Sequence, residues 1–306
     1  MRLSIIIPSY NEATNIPLLY ERLYQVLEKD FKDFEYEILW VDDGSSDDSF
    51  QVLKNLHQKN KKVKALQFSR NFGQHLAITA GLEQVTGDYI ILMDGDLQDP
   101  PEAFIDLYRK LEEGYDLVYA LRSNRQDSFF KKLFSNSFWK FIRYLSDLPI
   151  PENQAMLRIF NRKVLDTLNR FSEKERFYGG LFAWVGFKQI GIPITHGERA
   201  TGASKYSWRG MFRLALTATL NFSDKPIKWI LYKGISLTII GFILSVINII
   251  LLLTKNDFSN VYLLIAILIL MGGGILMALG IVGLYVHRIH QQSLNRPLYI
   301  LQDQIR

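Results

Sequence analysis

The run Met93-Asp94-Gly95-Asp96-Leu97-Gln98-Asp99-Pro100-Pro101 follows directly on the apolar stretch Tyr89 to Leu92. Asp94 and Asp96 stand at i and i+2, which on an extended segment turns both carboxylates to one side, where they can face one divalent cation or the diphosphate it carries. The chemistry this suggests is metal-assisted departure of a diphosphate. The same residues also describe a strand followed by a solvated acidic turn ended by Pro-Pro, so the reading depends on the company the pair keeps.

Three further polar loops keep that company. Pro8-Ser9-Tyr10-Asn11-Glu12, Asp42-Asp43-Gly44-Ser45-Ser46-Asp47 and Ser69-Arg70-Asn71-Phe72-Gly73-Gln74 each follow a short apolar or β-branched run. Singly, each has an ordinary explanation: Asn11 or Ser46 as a helix cap, Gly44 as a turn residue, Arg70 as a surface charge. Their meaning comes from the elements that precede them.

Those elements read as strands over Leu3 to Ile7, Glu35 to Val41, Val63 to Phe68, Tyr89 to Met93 and Leu117 to Leu121. Between them lie helical patterns such as Ile16 to Leu27, where Ile16, Leu19, Leu23 and Leu27 recur at helical spacing. Alternation of strand and helix predicts an α/β domain with a mostly parallel sheet. Ligands of such sheets sit beyond the carboxyl ends of the strands, which is where all four polar loops fall. From Asp127 to Leu220 the pattern is too irregular to assign.

The last quarter of the 306-residue chain differs in kind. Gly234 to Leu253 and Phe258 to Val286 carry no charged residue, and each is long enough to cross a hydrocarbon core about 30 Å thick. Lys225, Lys228 and Lys233 precede the first segment, and His287, Arg288, Arg296 and Arg306 follow the second, whereas the connection holds only Lys255 against Asp257. This bias predicts two membrane helices with both termini cytoplasmic. Gly272, Gly273, Gly274 and Gly280 could permit close helix contact. Tyr206 to Leu220 sets Tyr206, Trp208, Phe212, Leu216 and Leu220 beside Lys205, Arg209 and Arg213, a pattern that suits a helix on a membrane surface and equally one packed on the soluble domain. The N-terminal apolar run stops at Pro8, too short for a secretory signal. The formal charge is a modest +5, and cysteine is absent, which excludes disulfides and thiolate metal sites.

Taken together, Ile-Ile-Ile-Pro-Ser-Tyr-Asn-Glu, Val-Asp-Asp-Gly-Ser-Ser-Asp, Asp-Gly-Asp-Leu-Gln-Asp-Pro-Pro-Glu and Gly-Ala-Ser-Lys-Tyr-Ser resemble glycosyltransferase family 2, in its branch of polyprenyl-phosphate glycosyltransferases. Arg-Asn-Phe-Gly-Gln-His, Arg-Ser-Asn-Arg-Gln-Asp-Ser and Met-Leu-Arg are most similar to the undecaprenyl-phosphate 4-deoxy-4-formamido-arabinose transferases. The resemblance extends over nearly the whole chain.

It implies a GT-A, Rossmann-like domain over 1–205, juxtamembrane interfacial helices over 206–232, a two-helix transmembrane hairpin over 233–288 and a cytoplasmic tail over 289–306. The implied reaction moves a monosaccharide with inversion from a nucleotide sugar, a UDP sugar foremost, to undecaprenyl phosphate at the inner membrane. By the same resemblance Pro8, Tyr10, Glu12, Asp42, Asp43 and Asp94 bind the donor, Asp94 and Asp96 are catalytic, and Asp96 with Gln98 holds Mg or Mn. Arg122, Arg125, Arg158, Arg199, Ser204 and Lys205 are the candidates for the acceptor phosphate, since guanidinium and ammonium groups match phosphate oxygens. A homo-oligomer and a lipid-sugar flippase are the implied protein partners, with no nucleic acid among them.

One departure from the family pattern stands out. Many relatives carry Gly-Asp-Phe-Arg where this chain has Ala155-Met156-Leu157-Arg158, so a carboxylate sometimes taken as a general base is Met156 here. A phosphate monoester is largely dianionic at neutral pH, as phosphoserine is with a second pKa of about 6, and needs no base to attack. The competing readings are a non-catalytic relative that binds a nucleotide or a partner, and a processive polysaccharide synthase. The latter would need more spans and a Q-x-x-R-W motif, which the sequence lacks.

The charge flanks make the topology testable. Cysteine introduced at Asn256 in this cysteine-free chain should be labelled by an impermeant reagent from outside intact cells, and cysteine at Gln302 should not. The opposite labelling would move the N-terminal domain away from cytosolic nucleotide sugars.

Overall fold

The computed structural model describes residues 1–122, 153–174, 176–194, 225–253 and 261–306. They divide into two compact units, one made of the first three ranges with 296–306 and the other of 225–253 with 261–295.

All five expected strands are present in the first unit. β1 (Arg2–Ser9), β2 (Glu35–Asp42), β3 (Val63–Phe68) and β4 (Tyr89–Leu92) are joined by helices α1 (Asn15–Asp30), α2 (Ser49–Lys59) and α3 (Gln74–Gln84). A 3-10 turn, Pro101–Ala103, and α4 (Phe104–Glu112) lead to β5 (Leu117–Arg122). Ile5, Ile6 and Ile7 are all fully buried, because helices cover both faces of the central strands. Ile16, Leu19, Leu23 and Leu27 form the buried stripe of α1, as their spacing predicts.

Three strands are additions to that expectation. β6 (Gln154–Asn161) inserts antiparallel between β4 and β5, and is followed by α5 (Arg162–Leu168), α6 (Tyr178–Trp184) and β7 (Gln189–Ile194). The sheet order is β7-β5-β6-β4-β1-β2-β3-β8. The β1–β2, β1–β4, β2–β3 and β5–β7 pairs are parallel, so the sheet is mixed but mostly parallel. β8 is Leu301–Ile305, near the end of a segment whose sequence predicts only a tail; it pairs antiparallel with β3 along the edge. The parallel strands β1, β2, β3 and β4 all end toward one side, and the loops that leave them there form the site described below.

The second unit is two helices, α7 (Lys225–Leu253) and α8 (Val261–Ser293). Among the described residues one segment, Met271–Ser293, has the length and apolar composition of a membrane-crossing helix, where the sequence predicts two. The first expected segment, Gly234 to Leu253, does lie within one unbroken helix. Of the glycines in α8, only Gly274 has its Cβ position near the other helix, 3.9 Å from Leu237 Cδ1; around Gly272, Gly273 and Gly280 there is open space.

At the end of the sheet away from the loops a carboxylate is enclosed. Glu37 accepts from the Ser4 hydroxyl at 2.7 Å, the Lys64 ammonium at 2.7 Å and the Thr86 N–H at 3.3 Å. Burial alone would raise its carboxyl, but those donors outweigh burial and hold it below the ordinary value. A carboxyl depressed in the folded state contributes stability above its unfolded value and loses it as the pH falls through the folded one. Glu37→Gln should therefore lower stability at neutral pH by roughly 1–2 kcal/mol, moderated by the solvent exposure of the Lys64 ammonium. Thermal melting should show that deficit at pH 7 and show it shrinking as the pH falls below the ordinary carboxylate range.

Candidate active site

The loops after β1 and β2 are stitched to each other. The Asn11 side-chain oxygen accepts from Ser46 N–H at 2.8 Å, and Asn11 N–H donates to the Ser45 hydroxyl at 2.8 Å. Asn11 has φ 55, the left-handed region that Asn tolerates better than most side chains. Glu12 N–H donates to the Ser49 hydroxyl at 3.0 Å and Ala13 N–H to Asp47 at 3.2 Å. Asn11 and Ser46 thus join two loops, beyond the helix-capping roles their types suggest. Pro8 is buried in β1, and Tyr10 and Glu12 stand half-buried at its exit.

Two buried carboxylates close the end of β2. Asp42 accepts from Ser45 N–H at 3.1 Å, from the Ser45 hydroxyl, and from the Gln67 amide at 3.3 Å. Asp43 accepts the N–H groups of Phe72 at 2.7 Å and Gly73 at 2.9 Å, fixing the loop after β3 against the loop after β2. Burial raises both carboxyls above their ordinary values, against the pull of these hydrogen bonds. The two loops run so close that a Cβ at Gly44 would lie 2.3 Å from the Arg70 carbonyl carbon, and Gly44 has φ 68 besides, so no other residue fits there.

The acidic run leaves β4 beside this clamp. Asp94 is half-buried, and the Gln74 amide donates to it at 2.6 Å. Burial, then the neighbouring charges of Asp99 and Asp96, push its carboxyl up to about 7, against the opposing fields of Arg122 and Arg158. Gln98 N–H reaches back to Asp96 at 3.3 Å across Leu97, whose φ of 65 is a left-handed conformation that costs energy in a bulky residue. Asp99 is buried and accepts Leu157 N–H at 3.1 Å, tying the run to β6.

Of the candidate arginines, Arg122 and Arg158 lie within the described residues, and the fields of both act on Asp94. β6 registers Arg158 opposite both Leu92 and Tyr119, placing it between β4 and β5. Arg158 is buried, its guanidinium lies 4.2 Å from the Phe182 ring centroid, and it donates to the carbonyls of Met156 at 2.9 Å and Ala155 at 3.1 Å. Among the described residues, its Nη1, and Nε of Arg122 at the end of β5, are buried without a hydrogen-bond partner. Met156 lies two residues before Arg158, toward the end of the sheet where Asp94 emerges. Arg125, Arg199, Ser204 and Lys205 lie outside the described residues.

Sequence reasoning missed Gln74 and His75 as site residues. Gln74 sits in the recognised Arg-Asn-Phe-Gly-Gln-His run, but only the fold carries its amide to Asp94. His75 is the next residue, and burial followed by the Arg158 charge lowers it to about 4, so it is neutral at pH 7.

Among the described residues no three His, Cys, Asp or Glu side chains gather as a metal cage. Asp96 and Gln98 offer oxygen donors only, the kind that Mg and Mn take, and Mg characteristically completes its shell with water and substrate phosphate. This donor set fits an ion that arrives with a diphosphate.

Residues 4–168 match the family described as Glycosyl transferase family 2. Glycosyltransferase YkcC of Bacillus subtilis is 39 % identical over 301 residues, 98 % of this chain and 93 % of the relative. The putative glycosyltransferase CsbB of the same organism is 36 % identical over 304 residues, 98 % of this chain and 91 % of the relative. Among solved structures, the mannosyltransferase PcManGT from Pyrobaculum calidifontis, in complex with GDP-Man and Mn2+, superposes with a TM-score of 0.51 at 21 % identity. That match covers 74 % of this chain and 64 % of the other, and at such identity it is a likeness of fold: a GT-A-like, Rossmann-type α/β domain.

The crowding at Asp94 has a consequence in the metal-free protein. A carboxyl raised in the folded state leaves stability untouched below its unfolded value near 4 and lowers it as the pH rises through about 7. With EDTA present, Asp94→Asn should therefore melt a few degrees higher than wild type at pH 8 and at the same temperature at pH 3.5. Equal melting temperatures at pH 8 would show that the wild-type carboxylate bears no such cost.

Proposed function

We propose, from the premise that this chain belongs to glycosyl transferase family 2, that it moves one sugar from a nucleotide sugar to the phosphate of a polyprenyl lipid, with inversion. It is a nucleotide-sugar-dependent glycosyltransferase, and the two relatives that match 98 % of its length bear the name glycosyltransferase. The observation that carries the finer reading is the meeting of opposite charges at the carboxyl end of the sheet. Asp94, Asp96 and Asp99 gather there, and Arg122 and Arg158 face Asp94, each with one guanidinium nitrogen that has no hydrogen-bond partner among the described residues. A donor diphosphate and an acceptor phosphate are the kinds of group that such a pairing of charge receives.

In this reading Pro8, Tyr10, Glu12, Asp42 and Asp43 hold the base and ribose, and Gln74 orients Asp94 against the donor sugar. Asp96 and Gln98 would hold Mg or Mn, which when bound supplies charge neutralisation for the departing diphosphate. Arg122, with Arg125, Arg199, Ser204 and Lys205, steadies the acceptor phosphate. Arg158 is buried, held by its own strand's carbonyls and stacked on Phe182, so its part is to balance the carboxylates. An acceptor oxygen attacks the anomeric carbon as the bond to the diphosphate breaks on the opposite face. No proton has to leave the dianionic nucleophile, which is why Met156 at the position of a general base is compatible with transfer.

Chain connectivity supports the membrane part. β8 pairs in the same sheet as β3, so the chain between Ile194 and Leu301 crosses a bilayer an even number of times or not at all. With Met271–Ser293 as one crossing, the long helix α7 is the natural second. This supports a hairpin over 233–288 after an interfacial segment 206–232, with the catalytic domain 1–205 and both termini on the cytoplasmic side of the inner membrane.

Purified protein given radiolabelled UDP-glucose, UDP-N-acetylglucosamine or GDP-mannose, Mn and undecaprenyl phosphate should yield a charged lipid-linked monosaccharide from one donor. Asp96→Ala should lower turnover by roughly 100-fold or more, the scale expected for losing charge stabilisation worth several kcal/mol. A polymeric product, or none with any donor, would sink the reading, as would full activity of folded Asp96→Ala in EDTA.

A further inference from the structure

We propose that the C-terminal segment Tyr299–Ile305 is a strap that holds the donor loop in shape, with Tyr299 as its positioning residue; this deepens the function proposed above and rests on it. The Tyr299 ring stacks on Phe68 with centroids 4.9 Å apart and planes 17° apart. Phe68 closes β3, immediately before the loop 69–73. The Tyr299 hydroxyl donates to Glu83 at 2.7 Å, near the last residue of α3, the helix that follows the same loop. One side chain thus grips the strand entering the loop and the helix leaving it.

The grip passes inward by direct contact. Phe68, fully buried, meets the Phe72 ring edge-on at 5.6 Å, and the Arg70 guanidinium covers Phe72 at 4.0 Å. Phe72 N–H and Gly73 N–H are the donors that hold Asp43, and Gln74, the next residue, is the donor to Asp94. The strap fastens the outer side of the same loop: Ser69 N–H donates to the Ile300 carbonyl at 3.0 Å, β8 pairs with β3 from Phe68↔Leu301 to Ala65↔Ile305, and Lys54 meets Asp303 at 2.9 Å. β3 would otherwise be an open sheet edge, with the loop beyond it free to shift. A loop that offers three donors to two site carboxylates serves the donor only while those donors keep their positions.

Tyr299→Ala should raise the dissociation constant for UDP or GDP with Mn, and the donor KM, by about 10-fold, equivalent to about 1.4 kcal/mol, while kcat and the melting temperature change little. Tyr299→Phe keeps the stack and should restore affinity to within about 3-fold of wild type. Hydrogen exchange at residues 69–76 should accelerate in Tyr299→Ala and not in Tyr299→Phe. In the wild type the amides of Phe72 and Gly73 should open together with those of β8 as one cooperative unit, a measurement that stands even if Tyr299→Ala does not fold. Unchanged nucleotide affinity in folded Tyr299→Ala, or Phe72 and Gly73 amides that stay protected after β8 has opened, would overturn the strap. If wild-type protein bound no nucleotide, the proposed function would fail, and the exchange data would still decide whether the segment holds the loop.

Discussion

Several carboxylates have to remain at the carboxyl end of one sheet, partly withdrawn from water and close to one another, and the loops are built around that cost. Burial raises Asp42, Asp43 and Asp94 alike. Each is held against it by donors that are themselves fixed: backbone N–H groups of Phe72 and Gly73 for Asp43, Ser45 and Gln67 for Asp42, Gln74 and two arginine fields for Asp94. Preorganised donors cost no rearrangement when a ligand arrives, which is the condition under which electrostatic stabilisation is strongest. Gly44 and the left-handed Leu97 follow from the same demand, since the loops must approach closely and turn sharply to bring those donors in.

The other end of the sheet meets the same problem differently. Glu37 is as buried as the site carboxylates, yet its donors include an ammonium group, and its carboxyl is lowered rather than raised. Glu37 is thereby satisfied within the fold, a structural ion. Asp94 is raised to about 7, because burial and the like charges of Asp99 and Asp96 outweigh the opposing fields of Arg122 and Arg158.

β1 to β5 were legible because buried strands of a parallel sheet are continuous apolar runs, and α1 because its apolar spacing is unbroken. The polar loops were legible as motifs, and their place at one edge followed from the alternation of strand and helix. Contacts between distant segments were not. Nothing in Leu301-Gln302-Asp303-Gln304-Ile305 reads as a strand: it is short, mostly polar, and half of its surroundings are solvent. β6 likewise hides behind a sequence pattern that ends the regular alternation near Asp127, and its antiparallel entry is what sets Arg158 between β4 and β5. Local pattern specifies the elements, whereas an inserted or edge strand is specified by neighbours far away in sequence.

That inserted strand also bears on why a methionine is tolerated near the chemistry. Arg158 faces Asp94 and Asp99 through a low-dielectric interior, and its positive charge opposes the upward shift of Asp94. A carboxylate at Met156 would add another negative charge close to the same cluster, competing with Asp94 and Asp99 for the Arg158 field and repelling an anionic acceptor. Where the nucleophile is an alcohol, a base can repay that repulsion by removing a proton. Where the nucleophile is already a phosphate dianion there is no proton to remove, and only the repulsion would remain. An uncharged side chain at 156 is therefore compatible with the ionised acceptor proposed above.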